Sequence, residues 1–480
     1  MIQSPFPALP IDPPKTRVGI GTPEHARRNS LVLLALGFGL TFIHLFWYGS
    51  PWTAWLAVCC YAPFLLWLQE YSKRPFRAGW VFGLFYGVMN ETWLGQFASK
   101  YTGSVFVGIL MVFIIAGVWG CFYGFACWLR TKVPALRQMA TFALLIFAME
   151  FGRMNVPQLE YPNCPIGEPL VVYPAVATAL LSAYYCTIFT LIANAFIATI
   201  FSKPIRFKGL LKSTIVTRPF LIFGVCLVFA VVMKLVGPST TSKPIGVRVA
   251  LGQLGTDLAY SEEGMKPFLI EAAADDLTQR AIRAKADVVF YPEGIARFED
   301  TPDTPFKLWP NMPVVFGAQH GRKPTYQAAY LWNGKTFTHT DKRQLVVMGE
   351  YVPFRNILPY PDTLKLPSGD LKNGTERHLL EVKPGVTAGV MICYESMFWG
   401  TSNEFAKMNA DFLAVISLDD WYMGTNGIPR LAICARWRAV EARKWIVRVG
   451  SLGKTMVIDP SGRVMAEIPT GQRQILVYDL

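Results

Sequence analysis

The sequence predicts an α-helical transmembrane bundle of about seven spans, followed by an α/β domain outside the membrane. Hydrophobic residues make up 52% of the 480 residues and charged residues only 16%, whereas a typical soluble domain has roughly 25% charged residues. Nearly all long apolar runs precede residue 240. Beyond that point, short apolar segments alternate with polar helical ones, as in ordinary α/β domains.

Seven apolar runs are candidates to cross a hydrocarbon core of about 30 Å. They occupy residues 31–49, 52–69, 78–98, 103–129, 138–152, 171–201 and 219–237. These runs divide the chain into a segment at 1–30, a helical bundle at 31–237 and a globular domain at 238–480.

Loop charges predict the orientation of the bundle, because basic residues favour cytoplasmic loops. Lys and Arg concentrate before residue 30 and in the second, fourth and sixth loops, whereas the intervening loops carry only Lys100 and Arg153. The N-terminus is therefore expected in the cytoplasm and the globular domain outside it. Polar residues inside the spans, namely Asn90, Glu91, Glu150 and Arg153, either pair with one another or line a wet cleft for a lipid headgroup.

The distribution of charge and the number of cysteines argue against several classes of protein. The net charge of +13 comes largely from residues between apolar runs, without the basic stripe and interleaved aromatics of a nucleic-acid-binding protein. Of nine cysteines, only Cys393 and Cys434 lie in the globular half. That number provides no disulfide framework, and no Cys/His cluster has metal-ligand spacing. We therefore expect neither nucleic acid nor a metal.

The sequence pattern of the globular half predicts a series of strands and two helices, at Met265–Arg283 and Pro429–Arg443. Such alternation favours an α/β fold with some antiparallel pairs. The expected strands are Val247–Leu251, Asp287–Tyr291, Val314–Gly317, Ala328–Trp332, Val386–Cys393, Phe412–Ser417, Lys444–Val449, Thr455–Ile458 and Ile475–Tyr478.

Three residues at or near strand ends suggest acyl-transfer chemistry. Glu293 follows one expected strand, Cys393 ends another, and Lys342 lies between them in the chain. A carboxylate can take the proton of a thiol, whose thiolate is the nucleophile. A lysine ammonium lowers the pKa of that thiol and, with a backbone N–H, can hold an oxyanion. Each residue alone is weak evidence, but the ordered set is much stronger.

These residues lie in motifs that resemble the apolipoprotein N-acyltransferases, the membrane-anchored branch of the nitrilase superfamily. The motifs are YPEG, DKRQLVVMGEYVPF, ICYE and DFLAVISLDDWYMG. The resemblance implies a four-layer α-β-β-α sandwich with Glu293 as general base, Lys342 as oxyanion ligand and Cys393 as nucleophile. It also implies supporting roles for Glu350, Tyr394 and Glu395, and makes Trp421, Tyr351 and Tyr260 candidates to bind lipid.

The reaction implied by this resemblance is a two-step transfer in a bacterial inner membrane. A phospholipid, typically phosphatidylethanolamine, would acylate Cys393 and leave as a lysophospholipid. The amine of a diacylglyceryl-cysteine at a lipoprotein N-terminus, or another amine acceptor, would then take the acyl chain. The implied chemistry requires no metal or soluble cofactor, and the globular domain would lie in the periplasm.

Three alternatives remain open on the sequence alone. The chain could be a relative from a plasmid conjugal-transfer system, with another acceptor and with conjugation-apparatus proteins as partners, since LDDW stands here where NDAW is common in the family. It could instead be a membrane-tethered amidase or nitrilase, or a transporter with an inert appended domain. Acylation of Cys393 and the identity of the acceptor separate these hypotheses.

Overall fold

In the computed structural model, a helical half is followed by two packed β-sheets. The structure describes residues 23–156, 160–162, 165–202, 244–259, 261–262, 264–299, 303–355, 357, 359, 366 and 368–480. The expected span at 219–237 and the proposed boundary at 237/238 lie outside these residues, as does Tyr260.

Seven α-helices form the described part of the helical half. They are α1 (Pro23–Phe46), α2 (Ala62–Glu70), α3 (Pro75–Thr102), α4 (Val105–Lys132), α5 (Met139–Met154), α6 (Pro174–Leu180) and α7 (Ala183–Ser202), with 3₁₀ turns at Ala54–Val58, Pro134–Arg137 and Glu168–Val172. Among the described residues, three segments are long and apolar enough to cross a membrane, namely Ala26–Phe46, Val105–Lys132 and Ala183–Ser202. The count of seven spans therefore stays a prediction.

Two of the expected spans are not single helices. The run at 52–69 divides into the 3₁₀ turn Ala54–Val58 and α2, where the Asn194 side chain accepts the backbone N–H groups of Tyr61 and Ala62 at 2.8 and 3.0 Å. The run at 171–201 breaks at Leu181, which has a φ of +61°. Polar side chains from distant parts of the chain satisfy the freed N–H groups at such breaks, which lets an apolar run turn inside the bundle.

The polar residues inside the bundle pair with one another, which confirms the first of the two expectations for them. Asn90 donates to Glu91 Oε1 at 2.9 Å, and Arg153 forms an ion pair with Glu150 at 2.8 Å. Arg430, from the globular half, donates to Asn90 Oδ1 at 2.8 Å. Pairing of this kind offsets the cost of burying polar groups at membrane depth.

The globular half contains thirteen strands among its described residues, arranged in two sheets. The first sheet has the order β13-β1-β2-β4-β5-β6, with β3 beside β4, and the second has the order β12-β11-β10-β9-β8-β7. The strands are β1 (Arg248–Gln253), β2 (Val288–Phe290), β3 (Ala296–Phe298), β4 (Val314–His320), β5 (Tyr326–Trp332), β6 (Phe337–Asp341), β7 (Leu380–Lys383), β8 (Val386–Ile392), β9 (Phe412–Ser417), β10 (Ile446–Gly450), β11 (Thr455–Ile458), β12 (Val464–Ile468) and β13 (Gln474–Asp479).

The two sheets pack face to face, with a helical layer on each outer side. Between them, the rings of Phe290 and Phe412 approach to 6.0 Å within one buried apolar cluster. Helix α8 (Lys266–Arg283) covers the first sheet, while α9 (Trp399–Lys407) and α10 (Gly427–Ala442) cover the second. This arrangement is the α-β-β-α sandwich that the family resemblance implied.

Helix α10 joins the sandwich to the helical bundle. Its residues Ala435 and Ala439 are buried against the second sheet, whereas Ile433, Trp437 and Val440 belong to the apolar core of the bundle. The Trp437 indole N–H donates to the carbonyl of Glu168 at 2.7 Å. One helix is therefore shared by both cores.

Helices α3 and α4 approach closely because glycines face each other along their contact. A Cβ on Gly83 would lie 2.6 Å from the Trp119 carbonyl oxygen, whereas a Cβ on Gly117 of α4 would meet nothing within 4 Å.

We expect Gly83→Ala to lower the melting temperature in detergent, because overpacking costs about 1–3 kcal/mol.

Gly117→Ala provides the matched control, since helix propensity alone favours alanine by about 1 kcal/mol. We expect this variant to melt at or above the wild-type temperature. Equal melting temperatures for the two variants would contradict close packing of α3 on α4.

Candidate active site

Glu293, Lys342 and Cys393 converge where strands of both sheets end. Glu293 follows β2 and Lys342 follows β6 in the first sheet, and Cys393 follows β8 in the second. All three side chains are buried or nearly so. Cys393 begins a 3₁₀ turn over Cys393–Met397 and has a φ of +49°. A positive φ is unusual for residues other than glycine, and such strained backbone conformations cluster at functional sites.

Lys342 is the centre of a buried ionic group. Its Nζ lies 2.6 Å from Glu350 Oε1 and 3.1 Å from Glu293 Oε1. Burial alone would lower the pKa of this ammonium, but the charges of Glu293 and Glu350 prevail and raise the pKa well above its usual value. Lys342 is thus a permanent cation, and Glu350 is anchored further by the N–H of Val346 at 2.8 Å.

The pKa of the Cys393 thiol is raised rather than lowered. Burial is the largest cause and the nearby charge of Glu293 acts in the same direction, while Lys342 and a hydrogen bond with Ser417 act against them. The expected effect of Lys342 therefore has the right sign but does not prevail. A protonated thiol beside a carboxylate requires that carboxylate as its base.

Glu395 fixes the chain around Cys393. Its Oε2 accepts the N–H of Ile392 at 3.0 Å, and its Oε1 accepts the N–H of Arg343 at 2.9 Å and Nη1 of Arg377 at 3.1 Å. The carboxylate therefore links the residues that adjoin Cys393 and Lys342. Arg377 also pairs with Glu404 at 2.7 Å. No sequence motif pointed to Arg377.

The aromatic candidates lie towards the helical bundle. The Tyr394 hydroxyl donates to the carbonyl of Glu160 at 2.9 Å, and the Trp421 ring lies 5.9 Å from that of Phe97 on α3. Burial raises the pKa of Tyr351 to about 12, and the charge of Glu160 adds to that shift. Tyr394 and Trp421 thus contact the helical half, and the charge of Glu160 in that half acts on the hydroxyl of Tyr351.

Tyr422, which lies in the motif DFLAVISLDDWYMG but was not among the candidate residues, is a further neighbour of Cys393. Burial raises the pKa of its hydroxyl well above the usual value, and Cys393 is the next largest cause of that shift. The Tyr422 ring packs edge-on against Trp93 of α3, with centroids 5.1 Å apart. Tyr422 therefore connects the Cys393 environment directly to the bundle.

Replacing Lys342 with methionine should slow the alkylation of Cys393 at least about tenfold at a fixed pH below the thiol pKa. The cation acts to lower that pKa, so its loss reduces the thiolate fraction tenfold for each unit that the pKa rises. Peptide-resolved mass spectrometry after iodoacetamide treatment measures the rate. The wild-type protein, treated in parallel, serves as the reference. Equal rates for Cys393 in the two proteins would contradict the assignment.

Glu395→Ala should destabilise the protein by about 3–5 kcal/mol, because it leaves Arg377 buried without this carboxylate. Glu404→Ala removes another carboxylate that pairs with Arg377, but the Glu404 side chain is 44% exposed, so a loss of about 1 kcal/mol or less is expected. Thermal unfolding of both variants tests the difference. Equal losses would show that Glu395 has no special structural role.

Both halves of the chain match known protein families. The apolipoprotein N-acyltransferase N-terminal domain family matches residues 45–196, and the carbon-nitrogen hydrolase family matches residues 306–480. Curated relatives include the apolipoprotein N-acyltransferases of Pseudomonas syringae pv. tomato (26% identical, over 93% of this chain and 90% of the relative) and Caulobacter vibrioides (27% identical, over 85% and 83%).

Among solved structures, Saccharomyces cerevisiae Nit3, a member of branch 10 of the nitrilase superfamily, is 19% identical over 50% of this chain and 93% of its own, with a TM-score of 0.37. The family matches cover the helical half and most of the sandwich, and the relatives match over nearly the whole chain. Over nearly its whole length the chain is therefore similar to the apolipoprotein N-acyltransferases, and its second half matches the carbon-nitrogen hydrolases.

Proposed function

We propose that this protein moves an acyl chain from a membrane phospholipid, through a thioester on Cys393, to the amine of a diacylglyceryl-cysteine at a lipoprotein N-terminus. The observation that carries the proposal is the connection between the surroundings of Cys393 and the helical bundle. Cys393 lies close enough to Tyr422 to raise the pKa of its hydroxyl, and both Tyr422 and Tyr394, the residue after Cys393, contact the helical half. The names of the relatives support lipoprotein N-acylation as the activity.

In the first step, Glu293 takes the proton of Cys393 as the sulfur attacks the ester carbonyl of the phospholipid. The Lys342 ammonium and a backbone N–H beside the nucleophile stabilise the oxyanion that develops. When the tetrahedral intermediate collapses, the C–O bond of the ester breaks and the proton passes from Glu293 to the departing oxygen. The products are a thioester on Cys393 and a lysophospholipid.

In the second step, the lipoprotein amine attacks the thioester carbonyl and Glu293 takes the proton of that amine. The same oxyanion position is used again, because the carbonyl carbon remains attached to Cys393. Collapse breaks the C–S bond, returns the proton to the sulfur and releases the N-acylated lipoprotein. Glu350 holds Lys342 in place through both steps by the contact at 2.6 Å.

The alternatives receive less support. A conjugal-transfer relative or a transporter has no counterpart among the relatives reported above, which carry the acyltransferase name over most of their length. A simple amidase would not require tyrosines near Cys393 that contact a helical bundle. Within the acyltransferase proposal, phosphatidylethanolamine is the donor that we propose, and Trp421 and Tyr351 are proposed to contact lipid.

We also propose that the protein resides in the bacterial inner membrane with its N-terminus in the cytoplasm and the sandwich in the periplasm. The alternating loop charges support this orientation. Three helices suited to crossing a membrane support attachment in general. In this orientation the active site lies on the periplasmic side of the membrane, where both lipid substrates would reach it without crossing the bilayer.

Purified protein incubated with phosphatidylethanolamine in mixed micelles, without an amine acceptor, should gain the mass of one acyl chain. The adduct should be removed by neutral hydroxylamine, because a thioester is cleaved by this nucleophile whereas an amide is not. Intact-mass spectrometry measures the adduct directly.

Cys393→Ala should gain no adduct, whereas Cys434→Ala, which removes the other thiol of the globular half, should be acylated like the wild type. An adduct that persists in Cys393→Ala would refute the nucleophile assignment. The absence of any adduct on the wild type, under conditions that acylate a family member of known activity, would refute the phospholipid donor.

A further inference from the structure

A second cluster of reactive side chains lies on the outer face of the first sheet. His320 ends β4, while His339 and Asp341 lie on β6, and both strands flank β5. In the register, Tyr330 is opposite His339, Ala328 is opposite Asp341, and Tyr326 is opposite His320. Residues two apart on a strand share a face, so the three side chains project from the same side of the sheet.

The ligand atoms of this cluster are close enough to bind one ion together. One nitrogen of each histidine and one carboxylate oxygen of Asp341 all lie within 4.8 Å of one another. Asp341 Oδ1 is 2.9 Å from His320 Nε2 and 3.7 Å from His339 Nε2. Tetrahedral zinc, with ligand bonds of about 2.0–2.2 Å, separates its ligand atoms by about 3.4 Å, which lies between these two distances.

Neighbouring aromatic rings hold the imidazoles in place. The His339 ring stacks on Tyr330 with centroids 4.9 Å apart, and the His320 ring stacks on Tyr326 at 5.4 Å. Over the described part of the chain, no lysine or arginine forms an ion pair with Asp341. The carboxylate is therefore not neutralised by a fixed cation, and both imidazoles approach the same oxygen.

We propose that His320, His339 and Asp341 bind a divalent transition-metal ion of the zinc class. Two imidazoles and a carboxylate suit such an ion, while the partial exposure of all three side chains leaves room for water as a fourth ligand. The ion would clip β4 to β6 across β5. Because Asp341 immediately precedes Lys342, the clip would also restrain the strand end that delivers the catalytic lysine.

This site is not readable from sequence spacing. His320 and Asp341 are 21 residues apart, and only the antiparallel pairing of β4, β5 and β6 brings them together. Linear zinc motifs consist of close pairs of Cys or His ligands. Here the only close pair is His339 with Asp341, and His320 lies on another strand. The proposal is also independent of the acyl-transfer chemistry, because none of its ligands contacts the thiol in the proposed reaction.

The test uses the full-length protein in detergent, purified without a histidine tag and treated with chelator. We expect the wild type to bind one equivalent of Zn²⁺ in the low-micromolar range, and Co²⁺ in its place to give visible absorption typical of four-coordinate cobalt. Zn²⁺ should also raise the melting temperature, since a ligand that binds the folded state stabilises it.

His320→Ala and His339→Ala should each lose the bound equivalent, the cobalt absorption and the thermal shift. His378→Ala is the matched control, because His378 lies near enough for its charge to act on His339 but is not one of the three ligands. The control should behave as the wild type. A wild type that binds no Zn²⁺ would leave only a His–Asp hydrogen bond and overturn the proposal, as would binding that survives His339→Ala or is lost in His378→Ala.

Discussion

The buried ammonium of Lys342 is the constraint on which the active-site region depends. A lone charge inside a protein costs several kcal/mol unless it is paired, and Lys342 satisfies this requirement with two carboxylates at 2.6 and 3.1 Å. Glu293 and Lys342 come from the ends of different strands, so their pairing requires β2 and β6 to end at the same edge of one sheet. The second sheet then brings Cys393 to the same place, and the face-to-face packing of the sheets completes the site.

Helix α10 imposes a second constraint, because it belongs to two hydrophobic cores at once. Alanines face the sheet, while the larger Ile433, Trp437 and Val440 fill the bundle. Polar contacts from the same helix reach the bundle too: Glu441 accepts the N–H of Ala183 at the start of α7, at 3.1 Å. The sandwich is therefore not tethered loosely to a membrane anchor. Its position on the bundle is set by packing and hydrogen bonds.

The regular elements could be predicted from sequence where the hydrophobic pattern is strong. The expected strands Phe412–Ser417 and Thr455–Ile458 match β9 and β11 residue for residue. Glu293 and Cys393 were predicted from their places at the ends of expected strands, and Lys342 from its order between them. The strands β3, β6, β7 and β12 were missed, because they have only three to five residues and each contains a polar or charged residue that weakens the apolar signal. The contacts of Arg377, and those of Asn194 with the start of α2, were missed for another reason. The partners of these two side chains are not their neighbours in the sequence, so only the fold reveals the contacts.

The surroundings of Cys393 bear on why a hydrolase-like site would transfer an acyl chain instead of releasing it to water. Cys393 is only 8% exposed, and it lies close enough to Tyr422 to act on the pKa of that hydroxyl. Tyr422 in turn packs on Trp93 and lies 5.8 Å from the Phe97 ring, both on α3. A thioester on this buried sulfur would meet little bulk water. The acceptor that we propose, an amine on a diacylglyceryl anchor, would be held beside the helical half at high local concentration, which favours aminolysis over hydrolysis.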